Sequence, residues 1–161
     1  MMASSQGKAH LVALAVPVGA LGGALAFQYF GGLYPCEMCW WQRYAHMAAL
    51  LLAVVAIVLP GARRLFIGLA GLALVAAAVV SAYHAGVEYG WWKGLTACTS
   101  DIDFAAGGDP LKAILDSPVV RCDVVQWKLF GISLAGYDFL ISGLAALAVF
   151  ALLARSTKEQ N

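Results

Sequence analysis

The chain has 161 residues, of which 62% are hydrophobic and only 12% charged, and its net charge is +1. A soluble domain of this length has no interior large enough for so much apolar surface. The near-neutral balance gives no reason to expect nucleic acid as a partner, so the composition points to a lipid environment.

The apolar residues come in blocks. His10 to Tyr34 carries no formal charge, and neither do Ala45–Leu59, Leu65–Val87 and Phe139–Ala154. A membrane-crossing helix needs roughly 20 apolar residues. Four spans are therefore predicted, near 10–31, 40–60, 65–86 and 137–154, packed as an all-α four-helix bundle in one domain over 1–161. The first span exceeds the roughly 7–15 residues of a secretion-signal core. Pro35 before Cys36, with a second cysteine three residues on, argues against lipoprotein processing. Gly19 with Gly23 in the first span, and Gly68 with Gly71 in the third, are expected to let helices approach closely.

The connection Gly61-Ala62-Arg63-Arg64 holds two arginines and no acid. By the positive-inside rule it faces the cytoplasm, which puts both termini inside and the 32–39 and 87–136 loops outside. The long loop is expected to carry interfacial anchors at Trp91 and Trp92. Within it, a short surface helix from Asp109 to Leu115 is predicted, with Asp109 as cap and Pro110 at its first position.

This orientation sorts the four cysteines. Cys36 and Cys39 fall in the short outer loop, Cys98 and Cys122 in the long one, and none lies on the cytoplasmic side. An even count on an oxidising side reads as two disulfides. Of three pairings, 36–39 with 98–122 is favoured because each bridge closes locally.

The chemistry concentrates in Pro35-Cys36-Glu37-Met38-Cys39-Trp40-Trp41-Gln42-Arg43. With the second span beginning near Met38, Cys39 lies in its first turn, where the helix dipole favours a thiolate. Arg43, four residues on, leans back toward it, and His46 continues the same face. An arginine inside a span is functional by default; this one is suited to stabilise a thiolate and to donate to a carbonyl oxygen of a bound acceptor. His84, at the outer end of the third span with Glu88 four residues on, is a further candidate to touch a cofactor.

Together these residues resemble the DsbB family of bacterial thiol:quinone oxidoreductases. The likeness rests on Cys36-x-x-Cys39-x-x-x-Arg43, four spans with both termini inside, Tyr83-His84 at the end of the third span, a second cysteine pair in the long loop, and Gln126-Trp127 after Cys122. It implies a multi-pass protein of the bacterial inner membrane with its cysteines on the periplasmic side. It further implies that Cys98–Cys122 oxidises a periplasmic, thioredoxin-fold, DsbA-like protein, that electrons pass to Cys36–Cys39, and that ubiquinone or menaquinone accepts them. Cys39 would then be the quinone-proximal thiolate, with Arg43, His46 and His84 as cofactor contacts. Such a quinone sink is reasonable because the partner of this relay is itself a strong oxidant.

Vitamin K epoxide reductase-like bundles also face a quinone with a C-x-x-C, but place it on a late span, after the loop pair. A non-enzymatic tetraspan scaffold with a stapled outer loop explains Cys98 and Cys122 but not a boundary C-x-x-C beside Arg43. An outward-facing metal site from the cysteines and His84 is disfavoured, since the 98–122 spacing is too wide for a structural zinc pair; no metal is expected.

Overall fold

The computed structural model describes residues 5–95 and 120–160. Cys98 and the predicted surface helix at Asp109–Leu115 lie outside the described residues. Four long helices account for most of the rest: α1 (Ser5–Tyr29), α2 (Glu37–Val58), α3 (Arg63–Glu88) and α4 (Leu134–Gln160). All four are long and apolar enough to cross a membrane. They outrun the apolar blocks of the sequence because a helix keeps its own hydrogen bonds as it leaves the hydrocarbon, so polar ends cost it little.

The helices pack as a bundle in which α3 lies against α2 and α4, and α1 closes the ring against α4 and α2. The core is built from small side chains: Ala9, Ala13, Ala49, Ala53, Ala56, Ala70, Ala145 and Ala146, with Ile67, Leu74 and Val149 filling between them. The large ones, such as Leu11, Leu51, Ile57, Leu72, Val79, Leu144 and Leu147, point outward. Lipid is as apolar as leucine, so contact between helices is won by close approach of small residues while bulky ones face the acyl chains. Gly71 fits this pattern, since a methyl group there would stand 3.0 Å from Phe150 and 3.1 Å from Val149.

Gly19 and Gly23 do not. Nothing lies within 4 Å of a side chain placed at either, and both line a cavity. They were expected to bring helices together; instead they hollow one wall of the bundle.

The two termini share one end of the bundle, where Ser5 hydrogen-bonds Glu159. At that end Arg63 donates to the His10 ring, and Arg64 donates to Ser156 and to the Leu153 carbonyl.

At the opposite end the connections fold over the bundle. Gly32, at φ 67°, turns the chain out of α1, a conformation glycine adopts without steric cost. Beyond α3, Trp92 stacks on Tyr83 and donates its indole N–H to the Tyr83 carbonyl. Gly86 makes room for that indole, since any Cβ there would stand 2.1 Å from it. A two-stranded hairpin (β1, Lys128–Leu129; β2, Ile132–Ser133) leads into α4. It turns through Phe130 and Gly131, both at positive φ as a type I′ turn requires.

Candidate functional site

The site begins at the N-terminus of α2. Cys36 is the N-cap, in extended backbone, and its sulfur accepts from the Cys39 backbone N–H at 3.3 Å. A helix N-terminus leaves donors unsatisfied and favours negative charge, so this is a stabilising place for a sulfur anion. The two residues between the cysteines bring Cys36 Sγ to 2.8 Å from Cys39 Sγ. Both are free thiols, so the expected 36–39 bridge is open here. Cys122 is disulfide-bonded, its partner falling outside the described residues.

The contacts favour the anion on Cys36, whereas the sequence alone favours it on Cys39. A hydrogen bond from the Cys39 side chain holds Cys36 down to about 4; burial opposes this, and His84 adds to the lowering. The helix starts at Glu37, so the cap position falls to Cys36, and Cys39 serves as its donor.

Arg43 also departs from expectation. Its hydrogen bonds cross to α1, with Nη1 donating to Gln28 Oε1 at 2.7 Å and Nη2 to the Ala24 carbonyl at 3.2 Å. Its guanidinium lies 5.1 Å from the Trp40 ring centre. Among the described residues no carboxylate pairs with it.

His84 reaches the thiols from α3, with Nε2 3.6 Å from Cys36 Sγ. Gln42 holds the other ring nitrogen, its amide 3.0 Å from Nδ1. The expected pairing with Glu88 is present at 4.0 Å. His46 follows Cys39 and Arg43 along one face of α2, and all three line one cavity. His46 Nε2 donates to Asp138 Oδ1 at 2.8 Å, while its Nδ1 is buried without a partner. Ser81 and Ser142 donate to the same carboxylate.

Asp138, Gln42 and Gln28 were missed in the sequence. The signal was available: Asp138 is an acid at the mouth of an apolar span and Gln28 an amide within one, and polar groups at such depth have a partner or a function.

The segment that follows α1 and the segment that precedes the hairpin dock on each other. Cys122, fully buried, packs in one cluster with Cys36, Met38 and Val87, against Cys39, Tyr83 and Val120. Gln126 donates to the Tyr34 carbonyl at 3.1 Å, and Trp127 lies 5.1 Å from Phe27.

Beside this cluster is a cavity of about 380 Å³. α1 contributes Gly19, Gly23 and Phe27; α2 contributes Cys39, Arg43 and His46; α3 contributes His84 and Glu88; and α4 contributes Asp138 and Ile141. It is of the size that takes a small cofactor, mostly apolar with a few convergent polar groups. A flat aromatic head group with carbonyl oxygens fits that lining, since its walls are largely apolar and Arg43 offers donors.

The model of the family described as "Disulfide bond formation protein DsbB" matches residues 6–153. A "Disulfide bond formation protein B" of Aromatoleum aromaticum is 31% identical over 154 residues, covering 88% of each chain. Proteins of the same description are 30% identical in Marinobacter nauticus, covering 87% of this chain and 88% of that one, and 30% identical in Azoarcus sp., covering 89% of each. No solved structure matches the chain.

Proposed function

Since the chain belongs to the DsbB family of disulfide bond formation proteins, a family of multi-pass membrane thiol:quinone oxidoreductases, we propose that it reoxidises a periplasmic, thioredoxin-fold, DsbA-like protein and delivers the electrons to ubiquinone or menaquinone. The observation that carries this reading is the burial of Cys122 against Cys36, beside the cavity. Two cysteine sites 86 positions apart, one in each outer segment, meet where a membrane-soluble acceptor has room to bind.

In the proposed sequence the resting bridges are Cys98–Cys122 and Cys36–Cys39. A thiolate of the reduced partner attacks Cys98, forming a mixed disulfide and releasing Cys122 as thiolate. The partner's second thiol resolves that mixed disulfide, leaving the partner oxidised and Cys98 reduced. Cys98 and Cys122 then return to a disulfide by exchange with Cys36–Cys39, which becomes the dithiol. The cap position, the Cys39 thiol and His84 favour the anionic form of Cys36. A dithiol stabilised in this way makes its disulfide a better electron acceptor.

A quinone bound in the cavity would supply the two-electron acceptor, with the Cys39 thiol proton and one proton from solvent balancing the charge as the disulfide re-forms. Arg43 donates to a carbonyl oxygen of the acceptor, and Gln28 and the Ala24 carbonyl hold its guanidinium in place. His46 stands in the cavity wall, with Asp138 holding its Nε2. Inner-membrane placement with Gly61–Arg64 on the cytoplasmic side puts the cysteines in the periplasm, where the partner is found.

Purified protein in detergent, mixed with a reduced thioredoxin-fold dithiol protein and quinone, should reduce quinone stoichiometrically, followed by its absorbance. Reduction that needs all four cysteines supports the relay. No reduction favours the scaffold reading.

A further inference from the structure

Three donor atoms at the thiol site lie close enough to share one ion. The sulfurs of Cys36 and Cys39 and Nε2 of His84 are all within 4.8 Å of one another. Glu88 stands beside them, its carboxylate 4.0 Å from His84 Nε2 and its side chain 8% exposed. Its Oε2 is buried with no hydrogen-bond partner. A buried acceptor left unmatched is costly, and it belongs to a carboxylate whose other oxygen, Oε1, is the one 4.0 Å from His84 Nε2. Cys36, Cys39, His84 and Glu88 also line the same cavity, which gives an ion a way in.

We propose that the reduced Cys36–Cys39 pair and His84 form a binding site for Zn²⁺, with Glu88 facing the fourth position, and that oxidation of the pair closes the site. The sequence disfavoured a metal site of the cysteines with His84 because the 98–122 spacing is too wide; the fold gathers a set that needs neither of those cysteines.

The distances suit a tetrahedral ion. With Zn–S near 2.3 Å and Zn–N near 2.0–2.1 Å, a sulfur and a nitrogen on one zinc stand about 3.6 Å apart. Cys36 Sγ and His84 Nε2 are 3.6 Å apart as they stand. Two sulfurs on one zinc need about 3.8 Å, so the 2.8 Å between Cys36 and Cys39 must open by about an ångström. A rotation about the Cys39 side chain accomplishes that.

The outer shell is present as well. A zinc-bound histidine donates its other N–H to an acceptor. Gln42 lies 3.0 Å from His84 Nδ1, and turning its amide over presents oxygen to that N–H. Two thiolates, a neutral imidazole and a borderline-soft cation are a common zinc combination.

The consequence is a redox-gated site. Binding displaces the remaining thiol proton to solvent and engages both sulfurs. Forming the disulfide removes both thiolates, two electrons passing to the oxidant, and expels the ion. Zn²⁺ therefore traps the pair as a dithiol. The site stands on geometry alone, whereas its effect on turnover rests on the quinone reading.

The test uses full-length protein in detergent, free of quinone, with Cys98→Ser and Cys122→Ser so that a single cysteine pair remains. Zn²⁺ is titrated against a chromophoric chelator, and Co²⁺ in parallel reports sulfur ligation by its charge-transfer bands. The expected result is one ion per chain in the reduced protein. Binding should be lost on oxidation with diamide or in Cys39→Ser, and be weaker by about tenfold or more in His84→Ala. Wild-type protein with only the 36–39 pair reduced should behave like the double variant, which covers the case in which the serines disturb the fold. Helical circular dichroism checks every variant. Equal binding to reduced and oxidised protein, unchanged binding in folded His84→Ala, or no sulfur–cobalt band overturns the proposal. Because quinone is absent throughout, failure here leaves the electron relay untouched, and failure of the relay leaves the metal result standing.

Discussion

Cys36 and His84 are 48 positions apart, yet Nε2 of the histidine lies 3.6 Å from the sulfur of the cysteine. The contact joins the N-cap of α2 to the C-terminal end of α3. It places an imidazole on the sulfur that caps α2. The Cys39 thiol first, and this imidazole after it, favour the anion of Cys36.

The titration of Cys36 follows from that arrangement. Chiefly through the Cys39 thiol, and then through His84, its pKa falls from the usual 9.0 to about 4. The folded value is depressed, so the thiolate's contribution to stability is complete above pH 9 and disappears as pH falls through about 4. In reduced protein kept metal-free with a chelator, the alkylation rate of Cys36 should be level from pH 6 to 9 and drop below about pH 5. Cys39→Ala should move that fall upward by more than one pH unit. Mass spectrometry of quenched time points reads both, and an ordinary thiol profile in the parent protein would remove the assignment.

Replacing Cys98 by Ser should abolish oxidation of the dithiol partner while quinone stays bound. Retained partner oxidation would sink the proposed relay.

Arg43 offers donors to the cavity from a guanidinium braced by Gln28 and Ala24. A hydrogen bond to a charged group contributes about 1.5–3 kcal/mol. Arg43→Ala should therefore raise the apparent quinone requirement roughly 10–100-fold, with the fold retained. Arg43→Lys should recover little, because one ammonium cannot span both braces. An unchanged quinone titration in Arg43→Ala would count against the role.

The glycines divide into two kinds. Gly23 lines the cavity and a Cβ there meets nothing within 4 Å, so Gly23→Leu should lower quinone affinity while thermal stability holds. Gly71→Val meets Val149 and Phe150 and should destabilise by about 1–3 kcal/mol. Thermal unfolding in detergent, paired with a quinone titration, separates the two.

Asp138 receives His46, Ser81 and Ser142. Asp138→Ala strands these donors in the interior and should cost about 1–3 kcal/mol, measured as a fall in melting temperature. Asp138→Asn keeps one acceptor oxygen and should cost less.

The architecture was legible because length and hydropathy decide it. Runs of about 20 apolar residues have no low-energy state in lipid except a helix with every backbone group paired. Cys36-x-x-Cys39 with Arg43 was equally legible, since spacing along one chain puts two thiols within reach of each other whatever else the chain does. The same spacing could not say which sulfur holds the charge. That turned on one residue of helix boundary: a start at Glu37 makes Cys36 the cap, where a start near Met38 had favoured Cys39.

What the sequence alone determined, then, is the number of membrane-length helices and the closeness of two thiols at the start of the second. What only the tertiary structure decided is which groups meet there. The rotation and height of each helix bring His84 to Cys36, turn Arg43 toward Gln28 and seat His46 on Asp138. They also bury Cys122 beside the first pair. A helix makes its hydrogen bonds within itself, so its sequence specifies its existence locally. Its azimuth is set only by packing against three neighbours, a property that no single segment carries.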